Sequence, residues 1–374
     1  MRLSAAAFAL AAISSLPGAA RAVPVDHFYA TPVDAGATLP SVVGSTARDL
    51  IAGVNQRSPQ SGDSVGFMVD PAGTSRRLPA APGLAWSQLY AISDAGRVLG
   101  LMVPADGTPG GGFYLTAAHG RRPLQPVSFP GQLVAMNDGG QMLGYAIEQV
   151  MPIGNARPAG AVPLVGPFPV SHCLFSDATD MPAHDMGALG GPGAICEPSA
   201  INAAGQVTGR SALTPGGTPD HVLQAFLSGP GGAGLVNLGS LADGQASQGT
   251  ALNGAGVVVG WSTASDFFSV HAFITGPGGA GMRDLGTLGG DDSSATGVNS
   301  DGNVVGFADD AAGNSRAFVT GNDGVGMLDL LAITKGLPRG TMLQQVVGIN
   351  DLGHVLVIDR EQHGWVLCPR RGCR

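Results

Sequence analysis

Three histidines, His172, His271 and His363, occupy one place in a recurring pattern, where other copies carry Val65, Gly111, Gln224 and Arg316. Imidazoles repeated in this way invite a metal centre. They fall in the third, fifth and seventh copies, however, and metal ligands must converge on one ion. The expectation is therefore structural: each His bonds a carboxylate or backbone group at a strand start. Two stretches, Gly229-Pro230-Gly231-Gly232-Ala233-Gly234 and Gly276-Pro277-Gly278-Gly279-Ala280-Gly281, satisfy G-x-G-x-x-G. A phosphate loop needs a strand before it and a helix N-terminus after it. Here both copies separate a Phe-containing run from a Leu-containing run, so they read as hairpin loops. Gly62-Asp63-Ser64-Val65-Gly66 satisfies G-x-S-x-G, but a nucleophile elbow needs a helix behind the Ser. A strand is expected there instead. Asp291-Asp292 and Asp309-Asp310 flank Ser300-Asp301-Gly302-Asn303 without the loop spacing that wraps oxygens around Ca²⁺. They leave open only a weak site at Asp291, Asp292 or Asp309. No catalytic residue, cofactor or resident metal is expected.

The four cysteines are Cys173, Cys196, Cys368 and Cys373. An even count with no CxxC spacing favours disulfides over metal. Local pairing is expected: Cys173–Cys196 closing an inserted loop, and Cys368–Cys373 clipping the tail. The start of the chain agrees with export. Arg2, the apolar stretch Ala5 to Ile13 and the small residues of Ala20-Arg21-Ala22 read as a signal peptide over residues 1–22. No later apolar run is long enough to span a bilayer. The net charge of −8 becomes more negative once Arg2 and Arg21 are removed, which disfavours nucleic acid and anionic lipid as partners.

What must position these residues is a repeat. The phrase Ala91-Ile92-Ser93-Asp94-Ala95-Gly96 returns around Asn137 and Gly140, Asn202 and Gly205, Asn253 and Gly256, Asn299 and Gly302, and Asn350 and Gly353. An apolar run follows each copy. The copies lie roughly 45–50 residues apart, with one longer interval, which is the spacing of a repeat architecture. Asn accepts backbone N–H groups in an Asx-turn and Gly takes positive φ, so the phrase is a hairpin. Two more apolar runs complete each unit, as in Ala272-Phe273-Ile274 and Met282-Arg283-Asp284-Leu285. With 60 Gly, 27 Pro, 44% hydrophobic and 12% charged residues, four short antiparallel strands per unit are expected and disorder is not.

Units of this kind predict an all-β fold, a β-propeller of about seven four-stranded blades. The segment Tyr29 to Gly36 matches a fourth strand and His363 to Cys368 a third. That phase predicts closure by the N-terminal strand completing the last blade. The expected organisation is one propeller over residues 23–368, with an inserted loop at 149–196 and a tail at 369–374.

His271-Ala272-Phe273 followed by Asp284-Leu285-Gly286, with Asn299 to Gly306 and Phe318 in the next unit, resembles the HAF repeats of bacterial extracellular proteins. The resemblance covers nearly all of the mature chain and is sharpest from Ala225 to Leu330. It implies secretion and a propeller-like array, and brings no shared catalytic residue. The functional expectation is a secreted or periplasmic binding or scaffold module. Its partner would be an extracellular or cell-surface protein or glycan, engaged by a monomer through the channel mouths and the segment between Gln149 and Val170. The alternative is a hydrolase or lyase on extracellular polysaccharide at the channel mouth, against which the 5% aromatic content counts.

Overall fold

The computed structural model describes residues 27–33, 41–43, 50–56, 64–70, 74–93, 96–105, 112–117, 124–150, 168–178, 182–215 and 222–370. The expected signal at 1–22 lies outside them. Among the described residues, helical structure is confined to three single 3₁₀ turns, and no helix is long and apolar enough to cross a membrane.

Seven antiparallel sheets succeed one another along the chain. Blade 1 runs from Ser41–Val43 to Ser75–Arg77, and blade 2 from Leu84–Ile92 to Gln125–Val127. Blade 3 comprises Gln132–Met136, Met142–Val150, Phe168–Ser176 and His184–Asp185; blade 4 comprises Cys196–Ile201, Val207–Ala212, Leu223–Ser228 and Leu235–Gly239. Blade 5 is built from Ser247–Leu252, Val258–Thr263, Val270–Ile274 and Arg283–Asp284, and blade 6 from Gly289–Val298, Val304–Asp310, Ser315–Thr320 and Met327–Asp329. From blade 1 to blade 7 the first strand of each blade packs on the first strand of the next, which makes these the inner strands. Blade 7 takes Leu343–Ile349, Val355–Asp359 and Gly364–Cys368 from the end of the chain and Phe28–Val33 from its beginning. Thr31 stands opposite Val366 and Val33 opposite Gly364 in an antiparallel ladder, and Thr334–Lys335 adds a short parallel strand outside it. The protein is a seven-bladed propeller closed by its N-terminal strand.

Apolar burial follows the same sevenfold plan, one cluster at each blade–blade interface. Phe273 packs with Ala225, Leu227 and Val258 between blades 4 and 5, and Phe318 with Val259, Ile274 and Val304 between blades 5 and 6. The seam is as apolar as the rest: Val33, Ile358 and Val366 of blade 7 meet Ile51, Phe67 and Val69 of blade 1.

The Asn turns do two jobs. Within each hairpin, Asn Oδ1 accepts the N–H four residues on, from Gln141, Gln206, Val257, Asn303 and His354, at 2.9–3.1 Å. Gly140, Gly205, Gly256, Gly302 and Gly353 close the turns at positive φ. The amide nitrogens then reach outward. Asn137 Nδ2 donates to the Asn202 carbonyl at 2.9 Å, Asn202 to Asn253 at 3.0 Å, Asn253 to Asn299 at 3.0 Å and Asn299 to Asn350 at 3.1 Å. The result is a relay along one face from blade 3 to blade 7. Blade 2 has Ser93 at this position, which offers no amide donor; there Arg97 Nη2 reaches the Asp138 carbonyl of blade 3 instead, at 2.5 Å.

The structure revises the expected insertion. Residues 168–196 are not a loop: they hold the third and outer strands of blade 3 and open blade 4, and only 151–167 interrupt the blade, outside the described residues. The Cys173–Cys196 disulfide, Cα–Cα 5.2 Å, therefore ties one blade to the next rather than closing an insertion. At the same place in the following blades, Ala225 N–H donates to Ser247 Oγ and Ala272 N–H to Ser293 Oγ, both at 2.8 Å. The disulfide is a covalent form of that clip. Cys368 is buried in the last strand, and its expected partner Cys373 lies outside the described residues. Loss of the Cys173–Cys196 bond is expected to destabilise the ring by about 3 kcal/mol, given the loop it closes. The pair C173A/C196S, which can rebuild the hydrogen-bonded clip, should recover about 1 kcal/mol relative to the reversed pair C173S/C196A. Parallel chemical denaturation of the two checks this.

Candidate functional site

The inner strands of blades 2 to 7 share a bulge, and the bulge defines equivalent positions in those six blades. It falls between Leu89 and Ala91, Leu133 and Ala135, Pro198 and Ala200, Gly249 and Ala251, Ala295 and Gly297, and Val346 and Gly348. A bulge re-aims the side chains beside it. The residue just before it is Gln88, Gln132, Glu197, Gln248, Ser294 or Gln345. Gln88, Gln132 and Gln345 are exposed and the other three half-buried. Four amides and one hydroxyl thus stand at one height, beside a single carboxylate. That carboxylate is already engaged, for Arg210 Nε donates to Glu197 Oε2 at 2.6 Å. Gln132 accepts from Tyr145 Oη at 3.1 Å, and Gln248 Nε2 donates to Ser199 Oγ of blade 4 at 3.1 Å. Amides offer donors and acceptors together, so this ring suits hydroxyl- or peptide-bearing ligands and contains no charge pair able to move a proton.

The histidines stay apart, each in its own blade. His172 Nδ1 lies 3.0 Å from Asp185 Oδ2, and His271 Nδ1 lies 2.8 Å from Asp284 Oδ2. Arg316 donates twice to Asp329 at the same place in blade 6, and Asn237 Nδ2 donates to Gln224 Oε1 in blade 4. Each pair joins the third strand to the outer strand. The outer residue also caps the next turn, since Asp284 Oδ1 accepts the Gly286 N–H and Asp185 Oδ1 the Gly187 N–H. These half-exposed pairs are worth about 0–1 kcal/mol each. His172 has a second carboxylate, Glu148 Oε2, 3.4 Å from Nε2. His363 differs. Trp365, the register equivalent of Phe273, faces Pro32 where Phe273 faces Asp284. With no acid across from it, His363 turns to Asp359 at 3.3 Å.

Among the described residues no three His, Cys, Asp or Glu side chains gather as metal ligands, and Asp291, Asp292 and Asp309 form no such group. Ser64 opens the strand Ser64–Val69 with no helix behind it. The two Gly-Pro-Gly-Gly loops connect third to outer strands and dock on the Asn turns, with Gly232 N–H on the Gly205 carbonyl and Gly279 N–H on the Gly256 carbonyl. Beside the second loop a cavity of ≈ 300 Å³ opens between blades 5 and 6, lined by Val257, Ile274, Pro277 and Arg283. Arg283 donates to the Asp323 carbonyl of blade 6.

One feature of the opposite face has no counterpart in the sequence reading. The hairpin joining the second and third strands of blade 5 exposes Phe267 by 59% and Phe268 by 94%. Asp266 holds this turn: its carboxylate accepts the Phe268 and Ser269 N–H groups at 3.0 Å and the Ser269 hydroxyl at 2.7 Å. The Ser269 hydroxyl and the two backbone N–H groups lower its pKa to about 2. A carboxylate depressed when folded stabilises its turn above the unfolded value near 3.9, and that support fades as the pH falls through about 2. The Phe268 amide resonance should therefore stay fixed from pH 7 to about pH 4 and shift only below about pH 3.

No protein-family model matches this chain, and no curated protein does. Solved structures do. An acylaminoacyl peptidase from Pyrococcus horikoshii superposes with a TM-score of 0.54 at 9% identity, over 86% of this chain and 49% of that one. One of two prolyl endopeptidases gives 0.51 at 12% identity, over 86% and 46%. The chain spans about half the length of these peptidases. At such identities the likeness shows the propeller fold alone.

Proposed function

We propose that the protein is a secreted or periplasmic binding module whose inner-strand amides engage an extracellular or cell-surface glycan or protein. The observation that carries this reading is the polar ring at the bulge: Gln88, Gln132, Gln248, Ser294 and Gln345, with its one acid, Glu197, held by Arg210. A hydrolase or lyase at the same height would need two free carboxylates or a Ser–His pair within reach of one bond. The disulfide supports an oxidising compartment, and the HAF-like phrase supports export; cleavage after Ala22 and a monomeric ring belong to the same proposal. Propellers of this shape occur in peptidases, where the remaining half of the chain lies outside the matched region. A catalytic role by that route would be an activity of a larger assembly.

The test is an array of bacterial surface glycans and peptides probed with the wild-type chain and with Gln88→Ala/Gln345→Ala. Loss of the wild-type hits at unchanged melting temperature supports the reading. Identical hit patterns, or turnover of any arrayed glycan, would overturn it.

A further inference from the structure

The exposed turn of blade 5 has an internal control in blade 6. Both join second to third strands on the same face, and in both the opening residue donates to the closing carbonyl and accepts from the residue three places on, the blade 5 turn being one residue longer. In blade 6 the Asp310 N–H donates to the Asn314 carbonyl and the Gly313 N–H to the Asp310 carbonyl. In blade 5 the Ala264 N–H donates to the Ser269 carbonyl and the Phe267 N–H to the Ala264 carbonyl. The residue that donates back to the opening carbonyl takes a left-handed conformation in blade 6, where it is Gly313 with φ 77. Blade 5 places Phe267 in that region, with φ 65. Glycine enters it freely; a bulky aromatic does so under strain. Blade 5 has thus kept two phenylalanines at a tip where they bury little surface, and the first of them strains the backbone. Strain held at an exposed site is an argument for function.

The surroundings narrow the partner. Asp266 sits under the tip, and Asp292 Oδ1 accepts the Val270 N–H at 2.8 Å, with Asp291 beside it. Gly290 lies against Asp309, and the Leu288 bridge brings Asp310 to the same ledge. Arg316 approaches Asp310 but is committed to Asp329 through two bonds. His271 is paired with Asp284. An apolar point on an acidic ledge repels anionic headgroups and complements an apolar pocket with a cationic rim.

We propose that the Phe267–Phe268 tip, with the flanking carboxylates of Asp266, Asp291 and Asp292, is a docking site for a protein that offers an apolar pocket rimmed by Lys or Arg. It is separate from the inner-strand amides and stands or falls independently of them.

The test places the photoreactive residue p-benzoylphenylalanine at position 268 of the full chain in its producing cell. The cross-linked peptide is then mapped by mass spectrometry. A single protein attached at apolar residues that neighbour Lys or Arg is expected. Yield should fall about fivefold between roughly 0.05 and 0.5 M salt, as screening weakens the charge pairs. Excess wild-type chain should compete, and Phe268→Ser should not. Phe267→Gly/Phe268→Ser should melt at the same temperature as wild type or higher, because the strain is gone. Cross-links to lipid, attachment at sites without basic neighbours, absence of any cross-link, or a lowered melting temperature in the double variant would each overturn the proposal.

Discussion

A chain lacking residues 27–33 is expected to lose most of its cooperative stability and to aggregate. The strand Phe28–Val33 supplies five backbone pairs to the strand Gly364–Cys368, and its ends feed two separate cores. Phe28, 2% exposed, packs with Val355, Leu367 and Leu330, and Val33 packs across the seam with Ile51 and Phe67. Truncating one buried Phe costs about 3–5 kcal/mol, already comparable with a marginal protein's total of about 5–15 kcal/mol. Phe28→Ala alone should therefore lower the melting temperature markedly, and the deletion should leave Gly364–Cys368 as an open edge for other chains to pair with. Tyr29 stands opposite Cys368 in an antiparallel pair, so the strand can be moved. Residues 27–33 transplanted behind Pro369 through a tight turn should restore the wild-type melting curve. If the deleted chain melts like wild type, the seam is not where closure energy resides.

Among the described glycines, Gly260→Ala should be the most damaging added methyl. The glycine that ends the second-strand run stands opposite the inner-strand bulge in blades 2 to 6. A methyl at Gly100, Gly144, Gly209, Gly260 or Gly306 would overlap the backbone carbonyl oxygen of Gln88, Gln132, Glu197, Gln248 or Ser294 respectively. Backbone cannot move aside as a side chain does, because the bulge is tied into the next blade. Thr250 Oγ1 at the bulge of blade 5 donates to the Ala295 carbonyl at 2.7 Å. A loss of about 3 kcal/mol is expected, at the upper end of overpacking in a dense core. As control, Gly254→Ala meets nothing within 4 Å and should be close to neutral. Equal denaturation midpoints for the two variants would refute the steric argument.

Much of this was written in the order of residues. The phrase ending in Gly revealed the blades, and the mismatch between a leading fourth strand and a trailing third revealed how they close. The turn chemistry of Asn and Gly was equally legible, because Asx-turns are local. The second bond of Asn137, Asn202, Asn253 and Asn299, from Nδ2 to a carbonyl about one period ahead, was not, since spacing alone does not say which neighbour an amide faces. The same limit hid the Asp partner of His271, thirteen places on and on another strand. The far end of the insertion was less legible: the long interval from Gly144 to Gly209 shows that residues are extra without saying which. Although His172 marks a third strand, the Cys173–Cys196 pairing suggests a loop that the strands Phe168–Ser176 and His184–Asp185 replace. The bulge ring escaped as well: Gln88, Gln248 and Gln345 share a register set by hydrogen bonding, not a motif. The Phe267–Phe268 tip carried a readable signal, two adjacent aromatics inside a Ser- and Asp-rich turn, that only its geometry made meaningful.

The meeting of both chain ends in one sheet has a consequence for biogenesis. During synthesis Phe28–Val33 is made long before its partner Gly364–Cys368, so blade 7 cannot form until that later strand has left the ribosome. Until then the nascent molecule is an unlocked row of sheets with its own leading strand unpaired, which keeps it threadable and makes it vulnerable.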